Sequence, residues 1–285
     1  MRSMLAVGCL LALSGCAIIV TGNDDVQVKS VFSGSTVVGD GRLARDARPV
    51  GNVSAINVSG PLDVTVRIGA TPSLEVAADG NLLPMIRTEV TGGVLRMWVE
   101  GSVRSANRLR VNYTAPSLTE VHASGSGSLV IGDLNGAPLT FRKSGSGSVV
   151  LGGRVSRLDF QHSGSGQVLA SALDTGDARV SLSGSGAMSL GQVTGATMTV
   201  NADGSGSLQA RGAVASLKAQ ANGSGGIDLG ALASEQADLT TNGSGAITAQ
   251  VKRTLVAQSN GSGQITVYGN PAQRNIRGKH VVVLN

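Results

Sequence analysis

Few side chains in this sequence could carry chemistry. Two are cysteines, Cys9 and Cys16, and none follows them. A thiol can be alkylated, oxidised or metallated, but the body of the protein can hold neither a disulfide framework nor a thiolate metal site. Three are histidines. His122 and His162 flank Gly-Ser-Gly tripeptides at different offsets, and His280 lies near the C-terminus. Isolated imidazoles of this kind read as solvated surface groups. The carboxylates Asp133, Asp174, Asp177, Asp228 and Glu235 are sparse and share no column of the repeat described below. Glycan cleavage needs clustered carboxylates, or a carboxylate with Arg or Lys, in one groove. No Ser-His-Asp set can be assembled without knowing how the chain coils. A polysaccharide-active enzyme is therefore the alternative reading. The expected one is non-enzymatic, with no catalytic residue, cofactor or metal.

Cys16 has a more specific context. Arg2 precedes an apolar run over residues 5–13, then Ser14-Gly15-Cys16. The run is too short to span a bilayer and has the length of a signal-peptide core. Leu13-Ser14-Gly15-Cys16 has the form of a lipobox: small residues expose the bond before a thiol that receives a diacylglycerol group. Acyl chains then hold the protein on a membrane without a spanning helix. Residues 1–15 are thus expected to be a lipoprotein signal peptide, with Cys16 as the lipidation site and the membrane as one partner. Ala17 rather than Asp after the cysteine resembles outer-membrane sorting. Residues 16–49 read as the lipidated N-terminus and a flexible polar tether.

What positions the remaining residues is a repeat. From residue 124, Ser, Asp or Asn followed by Gly-Ser-Gly recurs eight times, with central serines at 126, 146, 165, 185, 205, 224, 244 and 262. The intervals are 20, 19, 20, 20, 19, 20 and 18 residues. Between the motifs, apolar residues fall into columns: Leu129, Val149, Val168, Met188, Leu208, Ile227, Ile247, Ile265, and two positions later Ile131, Leu151, Ala170, Leu190, Ala210, Leu229, Ala249, Val267. A spacing of two places both columns on one face of a strand. A second strand carries columns beginning Leu139, Leu158, Ala178 and Phe141, Phe160, Val180. Leu134, Val155, Leu173, Val193, Val214, Leu232 and Val251 are placed to fill the corner between the strands.

These columns predict an all-β, single-domain, right-handed parallel β-helix of about 20 residues per coil, each strand bonded to its equivalents about 4.8 Å above and below. The glycines Gly125, Gly127, Gly145, Gly164, Gly184, Gly204, Gly223, Gly243 and Gly261, with Ser126, then read as a structural turn. Glycine permits positive φ and close backbone approach at a repeated corner. Ser124, Ser144, Ser163, Ser183, Asp203, Asn222, Asn242 and Asn260 can cap that corner, and stacked Asn side chains can bond along the axis. Phosphate cradling would need a following helix, for which a 20-residue coil has no room. Calcium-binding β-rolls repeat Asp at the turn, whereas here Asp occupies that column once, at Asp203. One outward column, Thr140, Asp159, Arg179, Thr199, Lys218, Asp238, Val256, would set Asp159 against Arg179 and Lys218 against Asp238 if coils stack in register.

Composition agrees. Gly is 41 of 285 residues and aromatics are 2%, so a core must be built from small aliphatic ladders. The net charge of +5 is scattered, and without aromatics for base stacking the chain is not expected to bind nucleic acid.

Residues 50–123 lack Gly-Ser-Gly but alternate like strands. They read as the first, wider coils, with a short insertion over residues 82–86. Here the landmarks Val58-Ser-Gly-Pro-Leu-Asp-Val-Thr-Val66, Asp79-Gly-Asn-Leu-Leu-Pro84, Gly93-Val-Leu95, Ala115-Pro-Ser-Leu118, the Gly-Ser-Gly series and Tyr268-Gly-Asn-Pro271 resemble the head GIN domain family. The resemblance covers residues 50–271, leaving 272–285 as a C-terminal cap or tail. It implies a parallel β-helix at the bacterial surface or in the periplasm, without established catalysis. No membrane barrel follows the repeats in this sequence, so a lipid would serve as the anchor. The expectation is a cell-envelope lipoprotein presenting a β-helix surface for adhesion, or for binding an envelope partner or glycan.

Overall fold

A computed structural model describes residues 36–285. The expected signal peptide and Cys16 lie outside the described residues. The described chain is a β-solenoid of about eight turns with about 20 residues per coil. Leu129, Val149, Val168, Met188, Leu208, Ile227, Ile247 and Ile265 are register partners from rung to rung. All eight are buried. The opposite wall is built the same way. Phe141 and Phe160 stack with ring centroids 4.8 Å apart, close to the rung spacing itself.

The corner between the walls differs from the expected single column. Every register shift in these coils falls there, as between Ile131 and Leu134 or between Leu229 and Ala233. Leu134 therefore faces Gly153 rather than Val155, and Val155 faces Thr175. Bulges at this corner absorb the varying coil length, while the Gly-Ser-Gly corner stays in register.

The N-terminal end corrects two expectations. Residues 16–49 are not all tether: Val37–Val38 pairs with Val103–Arg104, and Leu43–Arg48 pairs antiparallel with Ser73–Asp79. The side chains of Leu43–Arg48 alternate between exposed and half-buried, and the sequence Leu-Ala-Arg-Asp-Ala-Arg presents no apolar face. The segment is latched around Asp79: Asn81 Nδ2 donates to the Val38 carbonyl (2.8 Å), Gly80 N to that of Arg42 (2.9 Å) and Asn107 Nδ2 to that of Gly41 (3.4 Å), while fully buried Asp79 accepts hydrogen bonds from Ser105 Oγ (2.6 Å) and Asn107 Nδ2. Those bonds, Ser105 first, hold the Asp79 carboxyl below the usual range.

Nor do residues 50–123 form coils in sequence order. Ala55–Ser59 lies between Val94–Val99 on one side and Glu120–Ser124 on the other, all parallel. Asp63–Ile68 likewise lies between Arg110–Ala115 and Ser128–Gly136. The chain builds its second layer first, descends through antiparallel strands and a 3-10 turn at Gly80–Met85 to close the end, and lays the outer coil. It then passes the layer already built to begin the regular repeat. Antiparallel edges and buried Leu82 and Ile86 cover the end of the core.

Finally, Ser59-Gly60 is a further member of the corner. A β-carbon on Gly125 would collide with the Gly60 carbonyl oxygen, just as one on Gly145 would collide with that of Gly125. At the other end, Gln273–Arg277 and Val281–Leu284 form the last rung.

Candidate binding face

The wall running from Glu120 to Ser124 and its equivalents presents outward ladders beside the Gly-Ser-Gly corner. The inner ladder begins Arg96, Asn57, His122, Arg142, Gln161, Ser181, then continues through Asn201, Gln220, Thr240 and Gln258. The corner ladder runs from Ser59 through Ser124, Ser144, Ser163 and Ser183 to Asp203, Asn222, Asn242 and Asn260. The backbone alternation that buries Val121, Phe141 and Phe160 turns these residues out. Along the upper corner, side-chain amides bond rung to rung. Asn222 Nδ2 donates to Asp203 Oδ1 (2.6 Å), Asn242 to Asn222 (2.7 Å), and Asn260 to Asn242 (2.8 Å). The expected Asn stack is thus present. It fixes the spacing of a solvent-facing row of amides. The serines Ser126 through Ser262 form a second exposed row at the corner tip.

The glycines beneath that row answer a close approach more than a dihedral. Gly60, Gly125, Gly145 and Gly164 have φ in the left-handed region, but Gly184, Gly204, Gly223, Gly243 and Gly261 do not. Each of the latter is nonetheless glycine because a β-carbon there would meet the preceding coil's glycine carbonyl oxygen.

The histidines part company. His122 lies on the outward ladder with Nε2 2.8 Å from Glu120 Oε1. His280 Nδ1 is 3.2 Å from the Gly261 carbonyl oxygen. His162, expected on the surface, is instead 2% exposed, and its register partner Lys143 is 3% exposed. Both continue the inward parity of the columns at 139 and 141. Nε2 of His162 lies 2.8 Å from the Gly166 carbonyl oxygen, and Lys143 Nζ donates to that of Gly145 at 3.3 Å. Nδ1 of His162 is buried with no partner. Desolvation pushes the His162 imidazole below its ordinary pKa, against the pull of the Gly166 carbonyl, and the Lys143 charge adds to the drop. Desolvation likewise lowers that of Lys143.

The carboxylates considered for catalysis lie in separate local contacts. Asp177 caps Thr197 N (2.9 Å) and lies 3.7 Å from Arg157, Asp228 accepts from Gly230 N, and Glu235 pairs with Lys252 (3.2 Å) and Arg253 (2.8 Å). Asp133 adopts a left-handed φ of 60° at a bulge. In the outward charge column, Lys218 lies 3.9 Å from Asp238, whereas one carboxylate oxygen of Asp159 is buried and unpaired. Among the described residues, no three His, Cys, Asp or Glu converge as a metal site.

Two grooves mark the lower part of the face. One of about 330 Å³ is lined by Asn57, His122, Arg142, Gln161 and neighbouring serines. Another of about 200 Å³ is lined by Asn57, Ser59, Arg96, Met97 and Trp98.

The model of the family described as "Putative auto-transporter adhesin, head GIN domain" matches residues 52–194 and 178–271. This chain belongs to the head GIN domain family. The fold recurs in solved structures. A putative adhesin from Parabacteroides distasonis is 23% identical over 87% of this chain and 99% of its own, with a TM-score of 0.70. A putative adhesin from Parabacteroides merdae is 23% identical, covering 88% and 99%, with a TM-score of 0.68. A putative lipid binding protein from P. distasonis is 22% identical, covering 88% of this chain and 100% of its own, with a TM-score of 0.66. At such identities the likeness is one of head GIN fold. A comparison with curated proteins found no match.

Proposed function

We propose that this head GIN protein is an exported adhesion or binding module of the cell envelope, held by lipid on Cys16 at the outer membrane, and that its ladder face is the working surface. The observation that carries the reading is the face itself. Hydrogen-bonding side chains stand in register over successive rungs, exposed and, at Asn222, Asn242 and Asn260, fixed by one another. Such an array offers a glycan or protein many aligned polar contacts with little ordering left to do on binding. The adhesin description of the family, and of two structural neighbours, points the same way.

Two measurements test it. Labelled palmitate is expected to enter the wild-type protein and not the Cys16→Ser variant; equal labelling refutes the anchor. Isolated cell envelopes are expected to bind immobilised full-length protein, and to bind less to a variant carrying Asn222→Ala, Asn242→Ala and Arg142→Ala. Equal retention by both would show that this face is not the binding surface.

A further inference from the structure

Resting on that reading, we infer that the lower end of the face, from Trp98 and Arg96 to Arg142, takes a linear acidic polysaccharide through its carboxylates. Four observations converge.

The first is charge. From Arg96 through Ser181 on one ladder, and from Ser59 through Ser183 on the other, there is no carboxylate. Arg142 is exposed and, among the described residues, has no ion-pair partner, unlike Arg157, Lys218 and Arg253 elsewhere on the solenoid. The nearest acids, Glu120, Asp159 and Glu89, stand to the side on neighbouring columns. Glu120 contacts His122, and Glu89, on the strand opposite Arg96, accepts from Thr91 Oγ1.

The second is spacing. His122 and Arg142 lie two and three rungs from Arg96 and one rung from each other, so they stand about 10 and 14 Å from Arg96 along the axis at about 4.8 Å per rung. The shorter is close to the length of an extended disaccharide, so the carboxylates of alternate sugars in an extended polyuronate can reach both Arg96 and His122.

The third is the pair of grooves. They share Asn57, one carrying Arg96 and Trp98 and the other His122 and Arg142, so the cationic side chains follow one line along the face.

The fourth is Trp98, the single tryptophan of the chain. It turns outward at the start of the line, with the Arg96 guanidinium 5.9 Å over its ring. An indole held this way gives a sugar an apolar face to stack on, while guanidinium forks donate paired hydrogen bonds to carboxylates.

Because Trp98 is the only tryptophan, its fluorescence reads the site directly. Full-length protein in neutral detergent is titrated with hexagalacturonate, its fully methyl-esterified form, and cellohexaose. The free acid is expected to change Trp98 emission and saturate, and the ester and cellohexaose to bind at least tenfold more weakly. Arg96→Gln and Arg142→Gln are each expected to weaken acid binding about tenfold, with Arg253→Gln unchanged. Unaltered thermal unfolding of these exposed-site variants separates lost binding from lost fold. If acid and ester bind equally and both arginine variants retain affinity, the acidic specificity is overturned while the glycan-binding face survives. If no sugar binds yet envelopes are still retained through the face, the carbohydrate assignment is overturned and the adhesion reading stands.

Discussion

Alanine at Gly204 is the sharpest test of why the corner repeats. Gly204 does not have a left-handed φ, so a side chain there meets no dihedral penalty. Its β-carbon would instead press on the Gly184 carbonyl oxygen, with the Gly184 nitrogen 2.7 Å and carbonyl carbon 2.8 Å away. All three atoms are backbone of the coil below, tied into the ladder, and cannot rotate aside. Relief requires the coils to separate locally, which also strains the bond from Gly206 N to the Gly184 carbonyl (2.9 Å). Overpacking of this kind costs about 1–3 kcal/mol. The chain supplies its own control in Gly226, where an added β-carbon meets nothing within 4 Å. Gly226→Ala is expected to be neutral, or to stabilise by a few tenths of a kcal/mol through the lost freedom of the unfolded chain. At about 2–4 °C per kcal/mol for a domain of this size, Gly204→Ala should lower the melting midpoint by about 2–12 °C. Gly226→Ala should leave it within about 2 °C. Circular dichroism melts at one scan rate and concentration measure both. Equal midpoints for the two variants would refute the close-approach argument, and would return the glycine repeat to turn flexibility alone.

Asn242→Ala removes a side chain that both donates to Asn222 and accepts from Asn260, and should destabilise by about 1 kcal/mol because the site is solvated. Asn242→Ser, whose shorter hydroxyl can donate and accept but does not span both neighbouring amides, should fall between in urea denaturation. His162 has a folded pKa below the 6.5 of free imidazole, so its neutral form supports the fold above pH 6.5 and that support is lost as pH falls below it. His162→Leu should flatten the decline in urea midpoint between about pH 6.5 and 5, above the carboxylate range; an unchanged slope would exclude His162 as its source. Asp79→Ala should free residues 37–48 before the solenoid melts, seen as early proteolysis in that segment and faster amide exchange at Leu43–Arg48. If cleavage and exchange match the wild type, Asp79 is not the latch.

Some of the site was open to sequence reading but missed. The columns at 139 and 141 set a parity that, carried two residues further, turns Lys143 and His162 inward. Position 143 and its equivalents run Lys143, His162, Leu182, Ala202, Ala221, Thr241, Ser259, too mixed in polarity to read as a core column. Ser59-Gly60 matches the corner's first two residues, but Pro61 stands where the repeat has serine. Trp98 and Arg96 carried no signal at all, since only stacking beneath Ser59 and Asn57 brings them to the end of the ladder.

The regular coils were legible from the sequence because each residue's structural neighbour is its own equivalent about 20 positions away, so one-dimensional periodicity and three-dimensional contact coincide. From Leu129 to Ile265 like stacks on like, and the period, the inward columns and the amide row follow from it. The N-terminal layers obey no such rule. Their strands cover the end of a core, where any apolar or edge-satisfying segment of suitable length will serve. Only the tertiary structure decides that residues 55–68 lie between 94–115 and 120–136, and that a polar strand at 43–48 edges the antiparallel strand at 73–79. That choice also completes the candidate binding face, because it places Arg96 and Trp98 beneath ladders to which nothing in their sequence spacing connects them.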